Sequence, residues 1–188
     1  MIKVPKIILA SGSPRRAEIL GFAGIEFEKR IADIDETEKP NENPQVYVER
    51  LAVEKASHIA KSHQDKIVLG ADTTVVIDDK IIGKPVDLDD ARQMLRLLAG
   101  RWHEVLTGVA LVQNDEIKSS LQTTKVKFGA MNDEEIEFLV QEGQPLDKAG
   151  AYAVQAQAAL FIEKIEGDYW NVVGLPINLV YNLLKTFV

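Results

Sequence analysis

The chain is predicted to form a mixed α/β sheet with helices flanking it. In the first hundred residues, short apolar strand patterns alternate with helix patterns, which is typical of parallel strands joined by helices. The segment 103–128 instead alternates apolar and polar residues on both sides of Asn114 and Asp115, which predicts an antiparallel hairpin. A sheet that contains both patterns is mixed rather than purely parallel.

The elements of the first half are predicted from strand composition and helix-start signals. Ser13 and Pro14 are favoured at the first positions of a helix, and Asp78-Asp79 is a turn signal between two strands. The predicted order is strand 6–10, helix 14–22, strand 25–31, an acidic loop 33–43, helix 44–62, strand 67–77, strand 80–82 and helix 87–98.

The second half is predicted to continue with the hairpin and to end in a helix. A helix is expected from about Asp133 to Glu142, followed by a loop around Pro145. Short strands are expected near 151–155 and 158–165, and an amphipathic helix near 176–186. No repeat or flexible linker interrupts the sequence, so we expect a single domain over 1–188.

Composition limits the class of protein. The 188 residues include no cysteine and carry a net charge of −7. The absence of cysteine excludes disulfides and thiolate metal sites, and the charge argues against a nucleic-acid polymer as partner. With neither a secretory signal nor an apolar run of membrane-spanning length, a cytoplasmic protein without a membrane partner is expected.

The segment Ser-Gly-Ser-Pro-Arg-Arg (11–16) is the most informative motif. Arg15 and Arg16 fall in the first helical turn, where the helix dipole disfavours cations. A small-residue loop, a helix N-terminus and two guanidinium groups suit a bound phosphate. The alternative is an ordinary capped helix with two solvated arginines.

Two further charged residues lie at positions where apolar side chains are expected. Lys55 falls inside the apolar stripe of helix 44–62, and Asp72 interrupts the apolar strand 67–77. Lys55 either extends its ammonium group to water or meets a carboxylate or phosphate. Asp72 is either a structural residue satisfied by neighbouring N–H and hydroxyl groups, with a bulge at Gly70, or a metal ligand or general base.

Other candidates are weak individually, and several common motifs do not occur. Lys84 lies where the chain leaves the predicted strand 80–82, and Glu36 belongs to the acidic loop, so the alternative for each is a solvated side chain. The phosphate-binding, dinucleotide-binding and serine-hydrolase glycine motifs are not found.

Six motifs together resemble the Maf family of septum-formation-inhibitor-like nucleoside triphosphate pyrophosphatases, in family order over nearly the whole chain. They are Ala-Ser-Gly-Ser-Pro-Arg-Arg (10–16), Leu-Gly-Ala-Asp-Thr (69–73), Gly-Lys-Pro (83–85), His-Glu-Val-Leu-Thr-Gly-Val-Ala-Leu (103–111), Asp-Lys-Ala-Gly-Ala-Tyr (147–152) and Asn-Val-Val-Gly-Leu-Pro (171–176). The resemblance implies a fold like that of inosine triphosphate pyrophosphatases, with the sheet around a deep cleft. It also implies hydrolysis of a nucleotide to the monophosphate and pyrophosphate, a divalent cation (Mg²⁺ or Mn²⁺) and a homodimer.

The resemblance also implies roles for individual residues. Asp72 matches the proton acceptor of the family. The positions that shape substrate choice are Arg15, Thr73 and Gln155, and the polar cleft positions are Arg16, Glu36, Lys55 and Lys84. For the implied reaction, the chemistry of in-line attack further suggests Glu36 and Asp72 as metal-side carboxylates, with Lys55 paired with Asp72 or a phosphate oxygen. The substrate-binding positions are Ser13, Arg15, Arg16, Thr73, Lys84 and Gln155. Whether Asp72 is the base or a direct metal ligand stays open.

The motif Asp-Lys-Ala-Gly-Ala-Tyr followed by Gln155 is similar to the subgroup that acts on dTTP and UTP, which implies removal of nucleotides from cellular pools and a link to arrest of cell division. Ala156 departs from the family, where glycine is usual, and strain is expected there if the backbone is left-handed. The alternatives are the same chemistry on 7-methyl-GTP, a sugar-phosphate phosphatase, and a non-catalytic nucleotide-binding regulator of septum formation.

Overall fold

The computed structural model describes residues 4–187. Seven strands and six α-helices are formed within that range: β1 (Ile7–Ala10), α1 (Pro14–Phe22), β2 (Phe27–Arg30), α2 (Pro44–Ala60), β3 (Ile67–Ile77), β4 (Lys80–Ile82), α3 (Leu88–Leu98), β5 (Trp102–Gln113), β6 (Glu116–Phe128), α4 (Asp133–Glu142), β7 (Ile162–Glu166), α5 (Tyr169–Val173) and α6 (Ile177–Leu184). Three single 3₁₀ turns lie at Pro145–Asp147, Ala149–Ala151 and Gln157–Leu160.

The strands form one mixed sheet in the order β2-β1-β3-β5-β6-β7, with β4 beside β3. Strand β1 pairs in parallel with both β2 and β3. Strand β4 is antiparallel to β3, and β7 is antiparallel to β6. The prediction of a mixed sheet with flanking helices is confirmed.

Side-chain caps fix where the helices begin. The Ser13 hydroxyl accepts a hydrogen bond from the N–H of Arg16, and the Asn43 side chain accepts one from the N–H of Gln45 at the start of α2. Asn132 and Glu135 form a reciprocal capping box at the start of α4. Because these signals are local, the predicted helix starts agree with the structure to within about one residue.

The region after α4 differs from the prediction of a strand at 151–155. Gly150 and Ala151 have φ values of +68° and +63°, and the chain there forms 3₁₀ turns. Left-handed backbone cannot continue an extended ladder, so only β7 forms in this region. The short helix α5 was not predicted either.

The chain divides into two compact units. The first unit consists of residues up to 73, 107–122 and those from 174 onward, and the second consists of 74–106 and 123–173. A core of small apolar residues from β1, α2, β3 and β5, including Ala52 and Ala56, lies in the first unit. A larger core centred on α3, α4 and Phe128 lies in the second unit. Among residues 4–187, no helix is long and apolar enough to cross a bilayer.

Helix α2 lies directly on two glycines of the first unit. A Cβ atom at Gly70 would come within 2.1 Å of the Ala52 carbonyl oxygen, and one at Gly108 within 2.2 Å of the Val48 carbonyl oxygen. Close approach of a helix therefore explains the glycine in the apolar run of β3. This close packing fixes the distance between α2 and the sheet, and so the position of Lys55 relative to β3.

Candidate active site

A buried ion-pair cluster links α2, β3 and the acidic segment in the first unit. The Lys55 Nζ lies 2.7 Å from Oδ1 of Asp72 and 2.8 Å from Oε1 of Glu36. The side chains of Lys55 and Asp72 are 9% and 11% exposed, whereas that of Glu36 is 48% exposed. The ammonium group thus meets carboxylates and does not extend into water, so three residues singled out from the sequence come together here.

Side chains alternate between the two faces of strand β3, and this alternation explains which helix each of them contacts. Gly70 and Asp72 lie two residues apart and both contact α2, because side chains at i and i+2 share a face of a strand. Thr73 points to the other face, where it accepts a hydrogen bond from Arg16 of α1. One strand therefore supplies a carboxylate to one helix and a hydroxyl to another.

The electrostatic environment of Asp72 favours proton uptake. Burial raises the pKa of Asp72, which the charges of Lys55 and Arg16 oppose and that of Glu36 reinforces. A carboxylate with a raised pKa is a better proton acceptor near neutral pH than an exposed one. The cluster is therefore suited to activating water. Phosphate binding alone would need no carboxylate at this position.

Arg16 is built into the protein interior. Its Nε donates to the Gly174 carbonyl oxygen at 2.9 Å, and its Nη1 donates to the Ala71 carbonyl oxygen at 2.9 Å and to Ser11 Oγ at 3.1 Å. Its Nη2 donates to Thr73 Oγ1 at 3.0 Å. Four of the five guanidinium N–H groups are thus bonded to the first unit. These bonds exclude the alternative of a solvated arginine and leave one N–H group, so the expected phosphate-binding role of Arg16 stays a prediction.

The loop before α1 is organised around the same arginine. The Ser11 hydroxyl accepts from the backbone N–H of Ser13 at 3.1 Å as well as from Arg16. Ser13 itself serves as the N-cap, and Arg15 is half-buried in the first turn. The loop therefore presents the N-terminus of α1 in a fixed conformation, an arrangement that suits an anion.

Lys84 and Gln155 belong to the second unit, and both are exposed. The backbone at Ala156 has φ −128°, so alanine replaces the family's usual glycine without left-handed strain. The segment before Gln155 is anchored by buried Tyr152, whose hydroxyl lies 2.7 Å from Nε2 of His103. Burial lowers the pKa of His103 to about 4, so this pair is neutral at physiological pH.

Sequence reasoning missed three partners in the first unit. Ser11 and the Gly174 carbonyl bind Arg16, and Thr107 Oγ1 lies 2.9 Å from Thr73 Oγ1. Gly174 lies 158 residues from Arg16 along the chain, and its contribution is a backbone oxygen. Such a contact has no residue-type signal, and only the buried polar character of Thr107 within an apolar strand hints at a role.

The donor set of the cluster fits a metal ion shared with substrate. Asp72 and Glu36 offer carboxylate oxygens, and Mg²⁺ commonly takes one or two carboxylates together with phosphate oxygens. Within residues 4–187, no group of three or more His, Cys, Asp or Glu is arranged to hold a metal ion. The two carboxylates therefore fit a divalent cation that also takes phosphate oxygens.

The sequence has curated relatives over nearly its full length. A protein from Hahella chejuensis named dTTP/UTP pyrophosphatase is 49% identical over 185 residues, covering 97% of this chain and 92% of the relative. A protein of the same name from Bacillus cytotoxicus is 46% identical over 182 residues, covering 97% of this chain and 95% of the relative.

Solved structures of lower identity share the fold. The Ham1 protein of Staphylococcus aureus matches with a TM-score of 0.58 and 16% identity, covering 98% of this chain and 100% of that one. A Ham1 protein from Coxiella burnetii matches with a TM-score of 0.57 and 14% identity, covering 96% and 98%. This likeness confirms the expected inosine-triphosphatase-like fold. The family described as Maf-like protein matches residues 6–187, and the chain belongs to the Maf family.

Proposed function

We propose that the protein hydrolyses dTTP and UTP to the nucleoside monophosphate and pyrophosphate. The observation that carries this proposal is the buried Lys55–Asp72 pair with Glu36 beside it, since carboxylates in such a place serve water activation. The names of the Hahella and Bacillus relatives support the reaction and the choice of pyrimidine nucleotides. The match over residues 6–187 supports a single functional domain that includes both units.

Asp72 is the proton acceptor in this proposal. Its Oδ1 is bonded to Lys55, which leaves Oδ2 to take the proton as water attacks the α-phosphorus and pyrophosphate departs. Lys55 holds the carboxylate in place and offsets its charge when Asp72 is ionised. Asp72 must therefore be ionised before water attacks.

The remaining polar residues bind the substrate. Arg15 and Lys84 would bind the phosphate chain, and the N-terminus of α1 capped by Ser13 would receive one phosphate group. Thr73 and Gln155, together with Arg15, would govern the choice of substrate. Arg16 fixes the loop and retains one N–H for an anion, so most of its contribution is positional.

Proteins of this family generally depend on a metal ion. Glu36 would hold Mg²⁺ or Mn²⁺ together with phosphate oxygens, and Asp72 would be the second carboxylate ligand only in the alternative in which it is not the proton acceptor. When bound, the ion would offset the charge that develops on the phosphates.

Three further properties belong to this proposal. The protein is cytoplasmic, its partners are small nucleotides and not nucleic-acid polymers, and it is a homodimer. The family resemblance and the acidic composition support these assignments.

Pyrophosphate release from a nucleotide panel with Mg²⁺ tests the function. We expect turnover of dTTP and UTP above that of CTP, GTP and 7-methyl-GTP. Binding without turnover would instead identify a regulator, and release of orthophosphate from sugar phosphates would identify a phosphatase. A purine nucleotide as the best substrate would overturn the choice of base but not the reaction.

A further inference from the structure

The acidic segment 33–43 forms no helix or strand, yet it brings Glu36 to the cluster. Helix α2 holds the backbone of this segment at two successive residues. The Tyr47 hydroxyl donates to the Glu36 carbonyl oxygen at 3.0 Å, and Arg50 Nη2 donates to the Thr37 carbonyl oxygen at 3.2 Å. Tyr47 and Arg50 are one helical turn apart, so they share a face of α2.

Arg50 is itself fixed at the end of the same segment. Its Nε and Nη2 lie 2.6 and 2.7 Å from the two carboxylate oxygens of Glu42, and these side chains are 14% and 5% exposed. Its Nη1 also donates to Glu54, one turn further along α2, at 3.1 Å. The hydrogen bonds from Arg50 lower the pKa of Glu42 to about 2, so the bidentate pair persists across the physiological pH range.

The hydrogen bond that holds the backbone at Glu36 leaves the Glu36 carboxylate available to Lys55. Tyr47 binds the carbonyl oxygen of Glu36 and not its carboxylate, so the side chain stays directed at Lys55. An ion pair with a half-exposed carboxylate contributes little by itself, and ordering a loop costs conformational entropy at every residue. The Lys55–Glu36 contact therefore needs a backbone held by other groups.

We propose that Tyr47 and Arg50 are positioning residues that hold segment 33–43 on α2 and so set the Glu36 carboxylate beside Asp72. The proposal rests on the proposed function in one respect, the use of Glu36 in the reaction. Lys55 lies on the same helix as Tyr47 and Arg50. Helix α2 therefore carries both the ammonium group and the side chains that place the Glu36 carboxylate next to it. A shift of the segment would then change catalysis while leaving Asp72 and Lys55 in place.

Hydrogen exchange tests the attachment without any assay of activity. The segment contains amides that are bonded within it, namely Thr37 N–H to Asp35 Oδ1 and Lys39 N–H to Glu42 Oε2. We expect Tyr47→Phe and Arg50→Gln to speed exchange in 33–43 by at least fivefold. The matched control is Arg92→Gln, which breaks a bidentate pair of the same type with Glu137 in the second unit. Exchange in 33–43 that matches the wild type and this control would overturn the proposal.

Kinetics test whether the position of Glu36 matters to the reaction. We expect Tyr47→Phe to lower kcat with dTTP and Mg²⁺ at least tenfold with little change in KM, and Arg50→Lys to retain more activity than Arg50→Gln. In a Glu36→Gln background, Tyr47→Phe should cause less than a twofold further loss, because its effect passes through Glu36. Equal losses in both backgrounds, or unchanged kcat with a loosened segment, would contradict positioning. A wild-type protein without pyrophosphatase activity would refute the proposed function instead, and hydrogen exchange would still decide the attachment.

Discussion

The ammonium group of Lys55 and the carboxylate of Asp72 meet at 2.7 Å between a helix and a central strand, with both side chains buried. Neither residue type is common inside a protein without a partner. The close packing of α2 on Gly70 fixes the distance between the helix and the strand. The pair is therefore a consequence of the fold as well as a feature of the site.

Replacing Lys55 with methionine is expected to destabilise the protein in a pH-dependent way. Asp72 would lose its nearest cation, and its pKa, already raised by burial, would rise further. The folded state then keeps the proton on Asp72 to higher pH than the unfolded state, so stability is fully present below pH about 4 and falls as pH rises through the folded pKa. At neutral pH we expect a loss of about 3 kcal/mol in the free energy of unfolding.

Urea unfolding of Lys55→Met between pH 5 and 8 checks this prediction. Lys148→Met is the matched control, because Lys148 is also buried but its partner Asp147 is largely exposed. The difference between the two variants should widen as pH rises. A loss that is independent of pH would show that Asp72 does not respond to Lys55.

Asp72→Asn is expected to remove turnover and keep binding. The amide has the shape of the carboxylate but cannot accept a proton, so kcat should fall by about 10²- to 10⁴-fold. The affinity for a non-hydrolysable α,β-imido analogue of dTTP, measured by calorimetry, should stay within about threefold of the wild type. A near-normal kcat would contradict the assignment of Asp72 as proton acceptor.

Arg16→Lys is expected to lower stability, not only activity. The carbonyl oxygens of Ala71 and Gly174 would lose charged donors, although Gly174 also accepts a 3.3 Å hydrogen bond from Thr73 Oγ1, and a hydrogen bond to a charged group contributes about 1.5–3 kcal/mol. A loss of about 2–4 kcal/mol in the free energy of unfolding follows. By contrast, Arg15→Lys should change stability by less than about 1 kcal/mol and mainly raise KM. Equal stability of the two variants would restore the interpretation of Arg16 as a phosphate ligand alone.

Gln155 is expected to discriminate between pyrimidine bases. One amide donor and one acceptor match the edge that uracil and thymine share, whereas cytosine presents the reverse pattern. Mismatched polar groups cost about 1–3 kcal/mol, so kcat/KM for UTP should exceed that for CTP by about tenfold or more. Gln155→Ala should reduce this ratio, and Gln157→Ala, two residues away, should leave it unchanged. A ratio that survives Gln155→Ala would place base recognition elsewhere.

Local signals account for what the sequence predicted well. Ser13 with Pro14, the turn at Asp78-Asp79 and the hairpin turn at Asn114-Asp115 are determined by neighbouring residues, and the structure has each of them. The prediction of a strand at 151–155 was wrong because neighbouring residues do not determine the backbone there. Ala151 adopts a left-handed backbone that alanine disfavours by itself, so tertiary contacts and not the local sequence determine it.

The site was predictable where a charge contradicts an apolar pattern. Lys55 and Asp72 stand out because both interrupt buried runs, and the structure pairs them. Arg16 also stands out, but its partners are backbone oxygens and hydroxyls from distant segments, which no pattern of residue types reveals. Tyr47 and Arg50 carry no signal at all, because their targets are carbonyl groups of an irregular segment.

In the proposed reaction, water attacks the α-phosphorus of dTTP or UTP. Hydrolysis of dTTP in ¹⁸O-labelled water with Mg²⁺, followed by mass spectrometry of the products, identifies the phosphorus atom that is attacked. We predict dTMP that carries one ¹⁸O atom together with unlabelled pyrophosphate. Label in the pyrophosphate would mean attack at the β-phosphorus, and orthophosphate with dTDP would mean cleavage between the β- and γ-phosphates; either result would rule out attack at the α-phosphorus.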